Sequence, residues 1–194
     1  RRVDEPAELA KRTGLRAVFE KNIDFQGGEY GNAVLSRFPV ETYENHRLPQ
    51  SIPGEQRGAL EVRIRVKGHP IVFIATHLDY HPSDGERLAS IAMLKAIVRG
   101  WGRTPVIVAG DFNATPESEV MRQAFVFLRD TFDPAGPASF TFPADAPASR
   151  IDYVLYNSSS SLACVEYRII PEAVASDHRP VLAVFDVAPQ EGRW

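Results

Sequence analysis

The chain has 194 residues, 44% hydrophobic and 24% charged, with a formal net charge of −3. This is the composition of a globular protein large enough to bury a core, and it excludes the broad basic field that non-specific duplex binding requires. The single cysteine, Cys164, excludes an intrachain disulfide. No apolar run approaches the ~18 residues of a membrane span, and the opening RRVDEPAELA lacks the pattern of a signal peptide. The expectation is a soluble protein, cytoplasmic or exported.

In chain order, DEPAELAKRTG has Pro6 early and Gly14 at its end, the marks of a short helix. YGNAVLSRFPV is extended until Pro39 breaks it. In RGALEVRIRV, Leu60, Val62, Ile64 and Val66 alternate with Glu61, Arg63 and Arg65, a strand with one wet face. Gly68 and His69 turn the chain into PIVFIATHL, apolar without alternation and therefore a central strand. A helix follows in PSDGERLASIAMLKAIVRGW, with Leu88, Ile91, Leu94 and Val98 on one face and Asp84 near its start. Then come the strand TPVIVAGDF, the helix PESEVMRQAFVFL, and the strands RIDYVLY, SLACVEYRII and RPVLAVFDV. The Pro- and Ala-rich loop from Asp133 to Ser149 is too long for a turn and is predicted to line a site. Residues 1–194 read as one mixed α/β domain without repeats.

Polar residues collect where the apolar strands meet loops: His77 after IVFIAT, Asp111 and Asn113 after VIVAG, Asp152 entering DYVLY, and Asp177 and His178 ahead of the last strand. Scaffolds of this class place sites at such ends. Taken singly, each has an ordinary explanation as a cap, a turn or a hydrogen-bonded core residue; the argument rests on the set. Alternation along a strand should turn Asp111 and Asn113 one way and Phe112 into the core.

GNAVLSRFPV, THLDYH, GDFNATPES, RIDYVLY and SDHRPVLAVF stand in the order and approximate spacing of the endonuclease/exonuclease/phosphatase superfamily, which the chain resembles over nearly its whole length. The resemblance implies a deoxyribonuclease I-like α/β fold, a two-sheet β-sandwich flanked by helices in four layers, αββα. It implies divalent-metal-dependent hydrolysis of a phosphomonoester or phosphodiester by water. Asp111 would orient or activate the water, Asn113 and His77 would contact the phosphate, and Asp152 would orient His178 as a catalytic histidine. Asp177 matches a metal-side carboxylate, and hard oxygen donors point to Mg²⁺ or Mn²⁺. Asn32 and Arg57 stand where the family contacts substrate, and Tyr80 and His81 are candidates for the pocket's border. Arg87 is read as a structural ion pair, and His46 and His69 as turn residues without a role.

In the resembled family an asparagine near the phosphate and a glutamate metal ligand lie on strands ahead of the matched region. Arg1 and Arg2 fall in the loop beyond them; Glu5 and Glu8 belong to a helix and Glu29 to a Gly-rich turn. The expectation is therefore a domain incomplete at its N-terminus, with weak Mg²⁺ binding, little hydrolase activity and self-association through an uncovered sheet edge. The partner is a phosphoester. Two alternatives stand beside this reading, a DNA or RNA nuclease of the same superfamily and a catalytically silent binding module. The charge and the lack of an aromatic–basic cluster do not favour nucleic acid.

Overall fold

The computed structural model describes residues 3–132, 139–158 and 161–188. Asp4 launches α1 (Glu5–Thr13) by accepting a hydrogen bond from the Ala7 N–H at 3.0 Å, and Gly14 ends it in the left-handed conformation. The hairpin β1 (Arg16–Phe25) and β2 (Gly28–Ser36) follows. The extended stretch around Pro39 is in fact two strands. Ser36 bonds both the N–H and the carbonyl of Phe38 through its hydroxyl, and the chain leaves for another sheet as β3 (Val40–Arg47).

That sheet holds six strands in the order β3-β4-β5-β6-β8-β7, with β4 (Gly58–Val66), β5 (His69–His77), β6 (Val106–Asp111), β7 (Arg129–Asp130) and β8 (Asp152–Tyr156). β5 and β6 pair in parallel, bridged by the crossover helix α2 (Gly85–Gly100); the other pairings are antiparallel. α3 (Glu119–Phe125) follows β6, and β9 (Leu162–Ile169) with β10 (Val181–Val187) makes a second two-stranded ribbon. His46 and His69 are not turn residues. His46 lies in β3 with its ring 3.2 Å from Glu61, and His69 begins β5.

The two-residue period of the strands sorts side chains between two cores. On one face Val72, Ile74, Val106, Val108 and Leu155 pack against Ile91, Leu94 and Val98 of α2 and Val120 and Met121 of α3. On the other, Leu60, Val62 and Phe73 meet Val18 and Val34 of the first ribbon, while Ile71, Ile107 and Val154 meet Leu162 and Phe185 of the second. Each fully buried side chain of this kind contributes about 1.5–3 kcal/mol. α1 lies against the first ribbon and buries none of its residues. The layers are thus α2 and α3, the six-stranded sheet, the two ribbons, and α1. No helix among the described residues is long and apolar enough to cross a membrane.

Candidate active site

Strand register sets the site. His77 closes β5, Asp111 closes β6 and Asp152 opens β8, and the sheet pairs His77 with Asp111 and Asp111 with Asp152. Asp152 shares its parity with Val154, which faces the ribbons, and the opposite parity carries Tyr153 and Leu155 into the helix-side core. Three polar side chains therefore stand in one row across three adjacent strands, on the ribbon side. Gly110 permits the approach: at φ 151° a Cβ there would overlap the Thr76 carbonyl oxygen of β5 and sit 2.8 Å from the carbonyl carbon.

Phe112, the first residue beyond β6, is fully buried as expected, but Asn113 reaches the site by another route. It lies beyond β6 at φ 47°, a left-handed conformation that Asn adopts readily. Its N–H donates to Asp111 Oδ1 at 2.7 Å, and its Nδ2 donates to the Leu78 carbonyl at 3.1 Å. Asp111 and Asn113 face one way because the chain turns back, not because a strand alternates.

His178 is delivered by the segment ahead of β10. Its Nδ1 lies 2.8 Å from Asp152 Oδ2, and its Nε2 is 4.0 Å from Asp111 Oδ2. Burial disfavours its imidazolium, yet the bond and charge of Asp152, with the fields of Asp111 and Asp177, more than offset this and raise its pKa. His77 is pushed the other way, down to about 4, by burial and by the positive charges of Arg57 and His178. It is neutral at pH 7, and one tautomer serves both contacts: Nδ1 accepts from the Tyr30 hydroxyl at 3.1 Å while Nε2–H faces Asp111 Oδ2 at 3.4 Å. Burial pushes Asp111 up to about 6; the Asp152 carboxylate adds to this and the Asn113 N–H opposes it.

The loop of residues 139–149 holds the Asp152–His178 pair together; residues 133–138 of the predicted site loop lie outside the described residues. Thr141 Oγ1 accepts from the N–H groups of Ile151 and Asp152 at 3.3 and 3.4 Å. The Thr141 carbonyl accepts from Arg179 N–H at 2.8 Å, Ala144 N–H donates to the Asp177 carbonyl at 2.7 Å, and Phe142 packs its ring 4.8 Å from that of His178.

His77, Asp111, Asn113 and His178 line one cleft of about 320 Å³ together with Arg57 and Tyr80. Asp152 acts on it through His178. Two expected residues stand elsewhere. Asn32 donates from Nδ2 to the carbonyls of Gly58 at 2.7 Å and Ala75 at 3.2 Å, which ties β2 to the six-stranded sheet. Asp177 is exposed, with Ser176 Oγ 3.4 Å from its carboxylate. His81 is held by Asp79 at 2.7 Å, and Arg87 is the structural cation expected of it, buried and bonded to Asp84 and to the carbonyls of Asp79 and His81. Sequence reasoning missed Phe25, Tyr30 and Glu55, which also line the cleft; no motif or period distinguishes them.

Asp111, Asp152 and His178 each present a ligand atom within 4.8 Å of one another. Two carboxylates beside an imidazole suit a hard divalent cation such as Mg²⁺ or Mn²⁺, and such a charge would favour the ionised Asp111 that burial, with the Asp152 carboxylate, disfavours.

Residues 4–178 match the model of the Endonuclease/Exonuclease/phosphatase family. The chain belongs to this family. Endonuclease/exonuclease/phosphatase proteins are hydrolases and include phosphatases and nucleases. YbhP of Escherichia coli K12, an uncharacterized protein, is 33% identical over 172 residues, covering 86% of this chain and 66% of YbhP, so the chain spans just under two thirds of that relative's length. Among solved structures, a family member from Bacteroides thetaiotaomicron superposes with a TM-score of 0.79 at 19% identity, over 96% of this chain and 81% of its own. A mannosyl-6-phosphatase from the same organism gives 0.79 at 18% identity, over 93% and 80%. The human Nocturnin catalytic domain with bound sulfate gives 0.74 at 22%, over 95% and 77%. These likenesses establish the deoxyribonuclease I-like α/β fold.

Proposed function

We propose that the chain carries a divalent-metal-dependent phosphoesterase site that cleaves a phosphate ester by attack of water. The observation that carries this reading is the row His77–Asp111–Asp152 with His178 fastened to its end, facing one cleft. Asp111, half-buried and raised to about 6, is a stronger base than an ordinary carboxylate; it orients the water and takes its proton as the water oxygen bonds to phosphorus. Neutral His77 offers Nε2–H, and Asn113 its remaining amide hydrogen, to the phosphoryl oxygens as charge develops there. His178, oriented by Asp152, which also favours its charged form, gives its Nε2 proton to the leaving oxygen as the phosphorus–oxygen bond breaks. Arg57 neutralises phosphate charge from the cleft wall. Mg²⁺ or Mn²⁺, held by the carboxylates of Asp111 and Asp152, would supply Lewis-acid charge to the phosphoryl group.

The test is hydrolysis of a panel of phosphomonoesters and phosphodiesters with Mg²⁺, with Mn²⁺ and with EDTA. Turnover should need the cation, and His178→Ala or Asp111→Asn should each lower it at least ~10²-fold. EDTA-resistant activity, full activity in both variants, or no turnover of any ester would overturn the proposal. The last result would turn the reading to a silent binding module.

A further inference from the structure

The cleft extends beyond the reacting row, and its outer part has a chemistry of its own. Arg57 is only 6% exposed, yet its Nε has no hydrogen-bond partner. Its Nη2 lies 3.1 Å from Glu55 Oε2, and its guanidinium carbon is 5.5 Å from the centre of the Tyr80 ring. Distant in the sequence but in the same cleft, Phe25 and Tyr30 stand with ring centres 5.9 Å apart, and Phe25 remains 48% exposed. We propose that this outer part recognises a single neutral, hydroxyl-bearing ring, so that the substrate is a sugar or cyclic-polyol phosphate monoester. This rests on the phosphoesterase reading of the inner row.

Charge decides against the other carriers. Among the described lining residues Arg57 is the one permanent cation, enough for one phosphate. Glu55 beside it repels a second phosphate and, as an acceptor only, requires a donor such as a hydroxyl. Exposed aromatic faces suit the C–H face of a ring whose hydroxyls point towards the Glu55–Arg57 pair. A volume of about 320 Å³ is at the small end of ligand pockets, room for one ring and one phosphate.

The wall is also preorganised. Glu86, buried in the first turn of α2, accepts from Ser51 N–H at 2.9 and 3.1 Å and from its hydroxyl, anchoring the loop that carries Glu55 and Arg57. Arg87, the next residue, holds the carbonyls of Asp79 and His81 on either side of Tyr80, at 2.8 and 2.7 Å. Two adjacent buried charges thus fix both loops before ligand arrives, which lowers the ordering cost of binding.

The experiment is titration of the metal-free chain with inorganic phosphate, glucose 6-phosphate, mannose 6-phosphate and adenosine 5′-monophosphate, followed by NMR shifts of the His77 and Tyr80 rings. At least one hexose phosphate should bind roughly tenfold or more tightly than inorganic phosphate. That ratio should collapse towards one in Glu55→Gln, with partial loss in Tyr80→Ala. Phosphate binding without a gain from the hexose would overturn this inference and leave the phosphoesterase reading standing. A larger gain from the nucleotide would also overturn it, in favour of a nucleobase subsite. Failure of every ligand, inorganic phosphate included, would overturn both.

Discussion

Gly110→Ala tests whether the close pairing of β5 and β6 builds the site. The new Cβ would overlap the Thr76 carbonyl oxygen and lie 2.8 and 3.2 Å from the Thr76 carbonyl carbon and nitrogen, all backbone atoms that cannot rotate away. Either the strands part near Gly110 or the residue is forced into a strained conformation. Parting would forfeit about two ladder hydrogen bonds at ~1 kcal/mol each, and residual overpacking adds roughly 1–3 kcal/mol. A loss of about 3–5 kcal/mol lowers the melting temperature by roughly 6–20 °C for a chain of this size. Because Asp111 follows directly and His77 is its register partner, turnover should fall beyond what the lost folded fraction explains. Calorimetry and urea titration measure the first effect, and kcat at a temperature where both proteins are folded measures the second. Gly100→Ala is the control: a Cβ there meets nothing within 4 Å, so stability should hold or rise by up to ~1 kcal/mol. A Gly110→Ala protein within ~0.5 kcal/mol of the parent would refute the reasoning.

Two further outcomes follow from buried charges. Arg150, 4% exposed, is 2.6 Å from Asp130 and lies over the rings of Phe132 and Tyr153; Arg150→Met should cost about 3–5 kcal/mol by stranding the carboxylate. Adding Asp130→Asn should recover part of that loss, and equal urea midpoints for parent and single variant would contradict the account. For Asp79, burial works against ionisation, but the His81 side-chain and N–H bonds and the charge of Arg87 outweigh it and hold the group below the usual carboxylate range. Its stabilisation is therefore complete above pH ~4, the unfolded value, and is lost as pH falls through the lower folded value. Asp79→Asn should flatten the acid limb of the stability profile, and an unchanged limb would show that Asp79 does not set it.

Much of the fold was legible because local rules and tertiary packing agree. Pro6 and Gly14 bracket α1, and the unbroken apolar run of β5 does mark a strand in the middle of the sheet. The row of His77, Asp111 and Asp152 was legible as a set of strand ends, although only the pairing register shows that they are direct neighbours. Asn113 reached the site for a reason that a strand period cannot express, a left-handed turn after Phe112. Asn32 looked like a ligand contact because the family resemblance places one there, whereas its amide satisfies backbone carbonyls across strands far apart in sequence. Asp84 looked like a helix cap and instead pairs with Arg87. Glu86 carries no motif that marks it, and its burial depends on Ser51, 35 residues earlier in the chain.

The loop of residues 139–149 touches both halves of the Asp152–His178 pair, through Thr141 on one side and through Phe142 and the Asp177 and Arg179 backbone on the other. Proton donor and carboxylate thus share a mechanical frame that does not pass through the β9–β10 ribbon. Breathing of that ribbon, or slippage in its pairing at the bulge between Val184 and Phe185, would be absorbed before it changed the distance between imidazole and carboxylate. Loosening of the ribbon should therefore cost core packing at Leu162 and Phe185 before it misaligns the acid–base pair.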